Sequence, residues 1–366
     1  MCQFGAVYNR QKGRRRTMEL IDNQEVIRQR DPQDALSVIA NSSEQVLWEA
    51  ILEQTTDDNF MPSQIILAGM GGSRLGGMMI KKWLDHQYSL GQSFEIVSDY
   101  TLPNYINDDT LVICFSVSGN TEETLSSLDD AQIKGAHVAV IASGGKLIEI
   151  AKERSLPYVQ LDKVSQPRYG VMMHIRAITK ILEYHGVAIG AYEEIAKLSD
   201  TVEKYIATLL PNIPITENPA KQLALHCAGK TPIIYSSSLF SPVAYKWKIS
   251  FNENAKNTSW WNEFPEFNHN EFIGWTSHPV EKPFAVIDLR SDFDHPRIAK
   301  RFELTEKLLS GRRPAAHEVR LHGDSVLSQM ICGAIFADFT SIYLAVLNGV
   351  NPTPVDLVEE LKRELA

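Results

Sequence analysis

The chain has 366 residues, of which 44% are hydrophobic, 22% charged and 9% aromatic, a balance that excludes collagen-like, disordered and low-complexity classes. Its length predicts about two domains. With 36 basic against 45 acidic side chains the formal charge is −9, which argues against broad binding to nucleic acid or to an anionic membrane, because both need a positive face. The cysteines Cys2, Cys114, Cys227 and Cys332 are scattered. They are too few for a disulfide scaffold and lack CxxC metal spacing, so a reducing, cytoplasmic location is expected.

In chain order, residues 1–17 read as a disordered tail, with Met18 a candidate start. The basic run Arg14, Arg15, Arg16 is followed by a mixed helical pattern rather than by the apolar core of a secretory signal. No apolar run is expected to reach the roughly 20 residues of a membrane helix. A further helix is predicted over SEQVLWEAILEQT (43–55). QIILAG (64–69) then reads as a strand that runs through glycines into an amphipathic helix. The pattern recurs at FEIVSDYTLP, at TLVICFSVSGNTEETLSSLDD and at HVAVIASGGKLIEIAKERSLP, and a second alternating series starts at TPIIYSSSLFSPVAYKWKISFNE. Alternating units of this kind predict an α/β fold of two domains, 18–164 and 165–366, each a mainly parallel sheet flanked by helices. Ligands of such sheets bind at the carboxyl ends of the strands.

Two turns at those ends carry chemistry. In Gly69-Met70-Gly71-Gly72-Ser73-Arg74 the backbone can approach an anion at a helix N-terminus. Asp99 would suit a ribose in a dinucleotide unit, but Arg74 stands where G-x-G-x-x-G requires its last glycine. The second turn, Phe115-Ser116-Val117-Ser118-Gly119-Asn120-Thr121, places three hydroxyls at the start of a helix. A helix cap needs one such residue, and a P-loop would need GK[ST]. The pattern therefore points to phosphate binding, with no lysine needed if the phosphate is a monoester.

A Ser-x-Ser-Gly-x-Thr turn after the third strand of an α/β domain resembles the sugar isomerase (SIS) fold. Together with Gly69–Ser73, the stretch Asn252–Trp275 (NENAKNTSWWNEFPEFNHNEFIGW) and GVNPTPVDLVEELK at 349–362, it resembles the bifunctional phosphoglucose/phosphomannose isomerases over nearly the whole chain from residue 18. The resemblance implies interconversion of glucose 6-phosphate, and of mannose 6-phosphate, with fructose 6-phosphate through a cis-enediol. It implies Glu253 as the base that shuttles the proton between C1 and C2, His269 as the ring-opening group, Arg168 as the cation beside the enediolate, and Lys362 as a lysine closing over the substrate. Gly72, Ser73, Ser116, Ser118 and Thr121 would bind substrate, and Thr353 would bear on acceptance of both C2 epimers. Glu263, Glu266 and Glu271 compete for the role of base by position alone. The family also implies a homodimer with shared active sites and neither a metal nor an organic cofactor. Arg74 and Tyr235-Ser236-Ser237-Ser238 depart from the family pattern. The rival reading is a non-catalytic sugar-phosphate-binding regulator, which would need the hydroxyl turn but neither Glu253 nor His269.

Overall fold

The structure, a computed structural model, describes residues 19–55, 60–276 and 283–365; the expected tail over residues 1–17, Met18 and His278 lie outside them. The described chain divides into two packed units, one formed by Ser42–Val202 with Ser325–Ser328 and the other by the remaining residues.

In the first unit, β1 (Leu52–Glu53), β2 (Gln64–Gly69), β3 (Ser93–Val97), β4 (Thr110–Phe115), β5 (His137–Ala142) and β6 (Tyr158–Gln160) lie in the order β1-β6-β5-β4-β2-β3. Only the β1–β6 pair is antiparallel. Every residue of β4 is buried, which explains why TLVICF is apolar on both faces rather than alternating. Leu128, Leu147 and Ile148 of the crossover helices Glu122–Ile133 and Gly145–Glu153 join Val112, Val138 and Val140 in one core. Helix Val171–Tyr184 packs on helix Gly71–Gln87, where a Cβ on Gly76 would lie 3.1 Å from that of His174. This packing keeps the helix after the proline-containing connector with the first sheet. The packed division therefore falls at residue 202, not near 165, and residues 19–41 belong with the second unit, where Asp22 accepts from Lys221 Nζ at 2.8 Å.

The helix predicted over 43–55 is cut short after Gln45. Tertiary hydrogen bonds outweigh its helical pattern: Trp48 Nε1 donates to Asp162 Oδ2 at 2.8 Å, the Ala50 N–H donates to the Tyr192 hydroxyl at 2.7 Å, and β1 then pairs with β6.

In the second unit, β7 (Thr231–Ser237), β8 (Trp260–Phe264), β9 (Phe284–Arg290) and β10 (His317–Arg320) form a wholly parallel sheet in the order β10-β9-β7-β8. Tyr235, Phe264, Phe267, Trp275 and Phe302 build its aromatic core. Trp260 stays exposed on the edge strand β8. Helix Val326–Asn348 corrects the expectation about apolar runs: its 23 residues are long and apolar enough to span a membrane by composition, yet 94% of its most apolar window is buried, as in a core helix. Asp338 and scattered hydroxyls hide the run in the sequence. Buried Asp338 accepts from Lys246 Nζ at 2.6 Å and from Ser250 Oγ at 2.8 Å.

His226 and His317 face each other with ring centroids 5.2 Å apart. Burial, then Lys230 and the neighbouring ring, hold His226 down at about 4 from an ordinary 6.5, and burial lowers His317. His226 is thus neutral in the folded protein between pH 6.5 and 4, while the unfolded chain takes up a proton as pH falls below the ordinary value. Its contribution to stability is present above pH 6.5 and is lost progressively toward pH 4, and the lowered His317 acts in the same direction. The urea midpoint should drop over that window. His226→Gln/His317→Gln should flatten the decline, and an unaltered slope would contradict the assignment.

Candidate active site

In the first sheet β2 is flanked by β3 on one side and β4 on the other, so the chain reverses its winding at this point. Open α/β sheets form a ligand crevice there. Gly69 pairs with Phe115 across it, and a Cβ on Gly69 would stand 2.8 Å from the Phe115 carbonyl oxygen. The two turns singled out in the sequence therefore leave neighbouring strand ends.

The hydroxyl turn is preformed. Ser116 Oγ lies 2.7 Å from Thr121 Oγ1 and 3.4 Å from Ser118 Oγ, while the Gly119 and Asn120 N–H groups donate to Ser116 Oγ (3.2 Å) and Ser118 Oγ (3.3 Å). Ser116 is buried and Ser118 exposed. Thr121 occupies the cap of helix Glu122–Ile133 without a side-chain capping bond, which leaves first-turn N–H groups to serve an anion. The turn after β5 braces this one: Ser143 Oγ donates to the Val117 carbonyl (2.6 Å), and the Lys146 N–H donates to Asn120 Oδ1 (3.0 Å). Gly119 has φ +70°, and a Cβ there would fall 1.8 Å from the Gly144 oxygen. Gly119→Ala should cost about 1–2 kcal/mol from the left-handed backbone alone, more from the clash, and should raise KM for phosphorylated substrates by displacing the turn. Thermal unfolding and steady-state kinetics check this; an unchanged Tm and KM would contradict it.

Gly72, Ser73 and Arg168 come together in the same unit. A Cβ on Gly72 would sit 3.4 Å from the Pro167 carbonyl oxygen and 3.7 Å from the Arg168 nitrogen, and Ser73 is buried. Arg168 is only 2% exposed; its Nη1 donates to Gln166 Oε1 at 2.9 Å and its guanidinium lies 4.8 Å from the Tyr169 ring centroid. The glycine turn thus lies against the backbone of the short helix that carries this buried cation. Arg74 instead lines a cleft of about 500 Å³ on the β3 side with Glu95, Ser98, Asp99 and Thr101.

The remaining predicted residues lie in the second unit. Glu253 ends helix Ser241–Glu253, which returns from the carboxyl end of β7 to the amino end of β8. Asn257 marks that edge, donating to the Lys230 carbonyl just before β7. His269 follows β8, exposed on the turn Glu266–His269 next to buried Phe267, and the chain then folds back over the sheet, where Glu271 meets Tyr235 and Asn262 in mid-strand and Trp275 meets Phe284 at the start of β9. Phe267 and Phe272, on either side of His269, pack with Tyr235 and Phe302 in a core that includes no residue of helix Ser241–Glu253. The structure thus places Glu253 and His269 on elements that do not share this core.

It does bring Glu253 and Thr353 into one neighbourhood. Lys256, at φ +51°, donates to the carbonyls of both Glu253 and Pro352, and Asn348 Nδ2 donates to the Ala255 carbonyl. Thr353 is buried and its N–H donates to Asn351 Oδ1 at 3.0 Å. Sequence reading missed the bridging role of Lys256, although it closes the Asn252–Lys256 motif. Lys362 is exposed on helix Asp356–Leu365 and pairs with Glu359 at 2.8 Å. Among the competing glutamates, Glu271 is engaged by Tyr235 and Asn262, and Glu266 accepts from Asn270. Among the described residues no three His, Cys, Asp or Glu side chains gather as a metal site.

Doubly wound parallel sheets with a hydroxyl turn at a strand switch define an SIS-fold protein. Solved structures agree on the fold: a glucose-6-phosphate isomerase like protein from Thermus thermophilus superposes with a TM-score of 0.64 at 19% identity, covering 94% of this chain and 99% of that one. Tagatose-6-phosphate ketose/aldose isomerase from Escherichia coli gives 0.59 at 17% identity, covering 93% and 96%. Residues 216–365 match the family model of the bacterial phospho-glucose isomerase C-terminal SIS domain. The bifunctional phosphoglucose/phosphomannose isomerase of Aquifex aeolicus is 32% identical over 91% of this chain and 98% of its own length, and that of Caldicellulosiruptor bescii 34% identical over 83% and 89%. The chain belongs to the bifunctional phosphoglucose/phosphomannose isomerase family. One relative with another name, a D-glucosamine-6-phosphate 4-epimerase of Sulfolobus acidocaldarius, is 31% identical over 63% of this chain.

Proposed function

We propose that this protein is an aldose–ketose isomerase that interconverts glucose 6-phosphate and mannose 6-phosphate with fructose 6-phosphate. The carrying observation is the match to bifunctional isomerases over nine-tenths of the chain, joined to a preformed hydroxyl turn at the strand switch. Ser116, Ser118, Thr121 and the helix N–H groups take the phosphate, with Gly72 and Ser73 beside them. His269 moves the ring proton that opens the hemiacetal, giving the free aldehyde. The Glu253 carboxylate then removes the C2 proton; the electron pair forms the C1–C2 double bond, and O1 becomes an enediolate oxygen stabilised by Arg168. A proton passes from O2 to O1, and Glu253 returns its proton to C1 as the C2 carbonyl forms. A planar C2 can be reprotonated on either face, which yields both epimers, with Thr353 shaping that choice and Lys362 closing over the site. None of these steps requires a metal or organic cofactor.

We place the protein in the cytosol as a homodimer with shared sites. The packing of Glu253 and His269 on elements that do not share a core supports this arrangement, because the second chain can then supply the missing partner. Glu253→Gln and His269→Ala chains, each inactive alone, should regain about a quarter of wild-type activity when unfolded and refolded together, since half the dimers are mixed and each holds one intact site. Failure to regain activity despite heterodimer formation would contradict shared sites. The cysteines Cys114, Cys227 and Cys332 are buried free thiols, compatible with a reducing compartment.

A further inference from the structure

We propose that Glu271 is a positioning residue that fixes the turn bearing His269 by bonding to buried Tyr235, an inference that rests on the ring-opening role assigned to His269. Tyr235 lies in the centre of the sheet on β7 and is wholly buried. Its hydroxyl donates to Glu271 Oε1 and receives the Trp275 Nε1–H at 3.2 Å, while Asn262 Nδ2 on β8 donates to Glu271 Oε2 at 2.7 Å. Both carboxylate oxygens are thereby tied to strands rather than left in water. On the other side of the histidine, Asn268 Nδ2 donates to Thr305 Oγ1 (3.1 Å) and Asn268 Oδ1 accepts from Arg301 Nη1 (3.0 Å). Exposed His269 therefore sits between two clamped neighbours.

The local helix Glu271–Gly274 has four residues, too few to hold a conformation unaided. The turn's direction must come from these bonds. A carboxylate suits the position because it accepts at both oxygens, whereas glutamine offers one acceptor and turns a donor toward Tyr235 or Asn262. Burial, and then Glu271 itself, push the Tyr235 phenol well above its ordinary range, so it remains a donor at working pH.

The test measures α/β anomerisation of glucose 6-phosphate by NMR exchange, with KM and Tm, for Glu271→Ala, Glu271→Gln, Tyr235→Phe and the control His269→Ala. His269→Ala should abolish enzymatic anomerisation. Glu271→Ala and Tyr235→Phe should lower it by about 10- to 100-fold through misplacement of the imidazole, with KM within about twofold. Glu271→Gln should fall between these and wild type, and the double variant Glu271→Ala/Tyr235→Phe should be no worse than the worse single change. If Glu271→Ala does not fold, Tyr235→Phe and Glu271→Gln carry the same comparison. Wild-type anomerisation in these variants while His269→Ala has lost it overturns the positioning role alone. Wild-type anomerisation in His269→Ala overturns the assignment on which it rests. A matched loss of anomerisation and of substrate affinity also overturns the proposal, since it would mark general disorder of the loop.

Discussion

Glu253→Gln is expected to lower turnover of both aldose phosphates by about 10³-fold or more, at the upper end of what a positioned general base contributes. A carboxamide keeps the size and polarity of the side chain but cannot accept the C2 proton. The backbone around it should be little disturbed, because Lys256 and Asn348 bond the carbonyls of Glu253, Pro352 and Ala255, and the substitution leaves those bonds in place. Phosphate recognition is assigned to Ser116, Ser118 and Thr121 in the other unit, so KM should change little. A loss in kcat without a loss in binding is the signature of a group used in the transition state. Retained turnover in a folded Glu253→Gln protein would remove Glu253 from the mechanism.

Asp338→Ala carries the largest expected effect on stability, about 3–5 kcal/mol, because it leaves the Lys246 ammonium in the core without its carboxylate. The pair is buried on both sides, with side-chain exposures of 0% for Lys246 and 8% for Asp338. Ser250 Oγ binds the same carboxylate oxygen, and Asn254 Nδ2 reaches Ser341 Oγ at 2.9 Å. These bonds join the helix that ends at Glu253 to the long core helix, so the residue proposed as the base stands on a rigid support. Replacing both charges by apolar groups, as in Lys246→Met/Asp338→Leu, should recover most of the lost stability, since no buried ion then lacks its counter-charge. Urea unfolding of the three proteins decides this; a single variant as stable as wild type would show that the pair contributes nothing net.

The strand-and-helix alternation was legible because parallel strands buried on both faces leave apolar runs such as TLVICF, and because glycines and hydroxyls cluster where those runs end. The hydroxyl turn could be read for the same reason: Ser116, Ser118 and Thr121 are close in sequence and therefore close in space. Other features depended on distant partners. The break after Gln45 is imposed by Asp162 and Tyr192, neither of which lies near it in sequence. The strand at Trp260–Phe264 is short and only partly buried at a sheet edge, so it lacks the apolar run that marks the inner strands. Likewise the domain boundary reflects a helix packing backward onto the first sheet, which the connector's composition does not reveal. Nothing in the spacing of Glu253 and His269 indicates that their elements pack in different cores; only the packing of Phe267 on Tyr235 does.

The most direct test of the account is NMR of the purified protein with fructose 6-phosphate in D₂O in the presence of a chelator, following products and deuterium at C2. The account predicts glucose 6-phosphate and mannose 6-phosphate, both deuterated at C2. Tight binding with neither product, or inversion at C4 without exchange at C2, would contradict it.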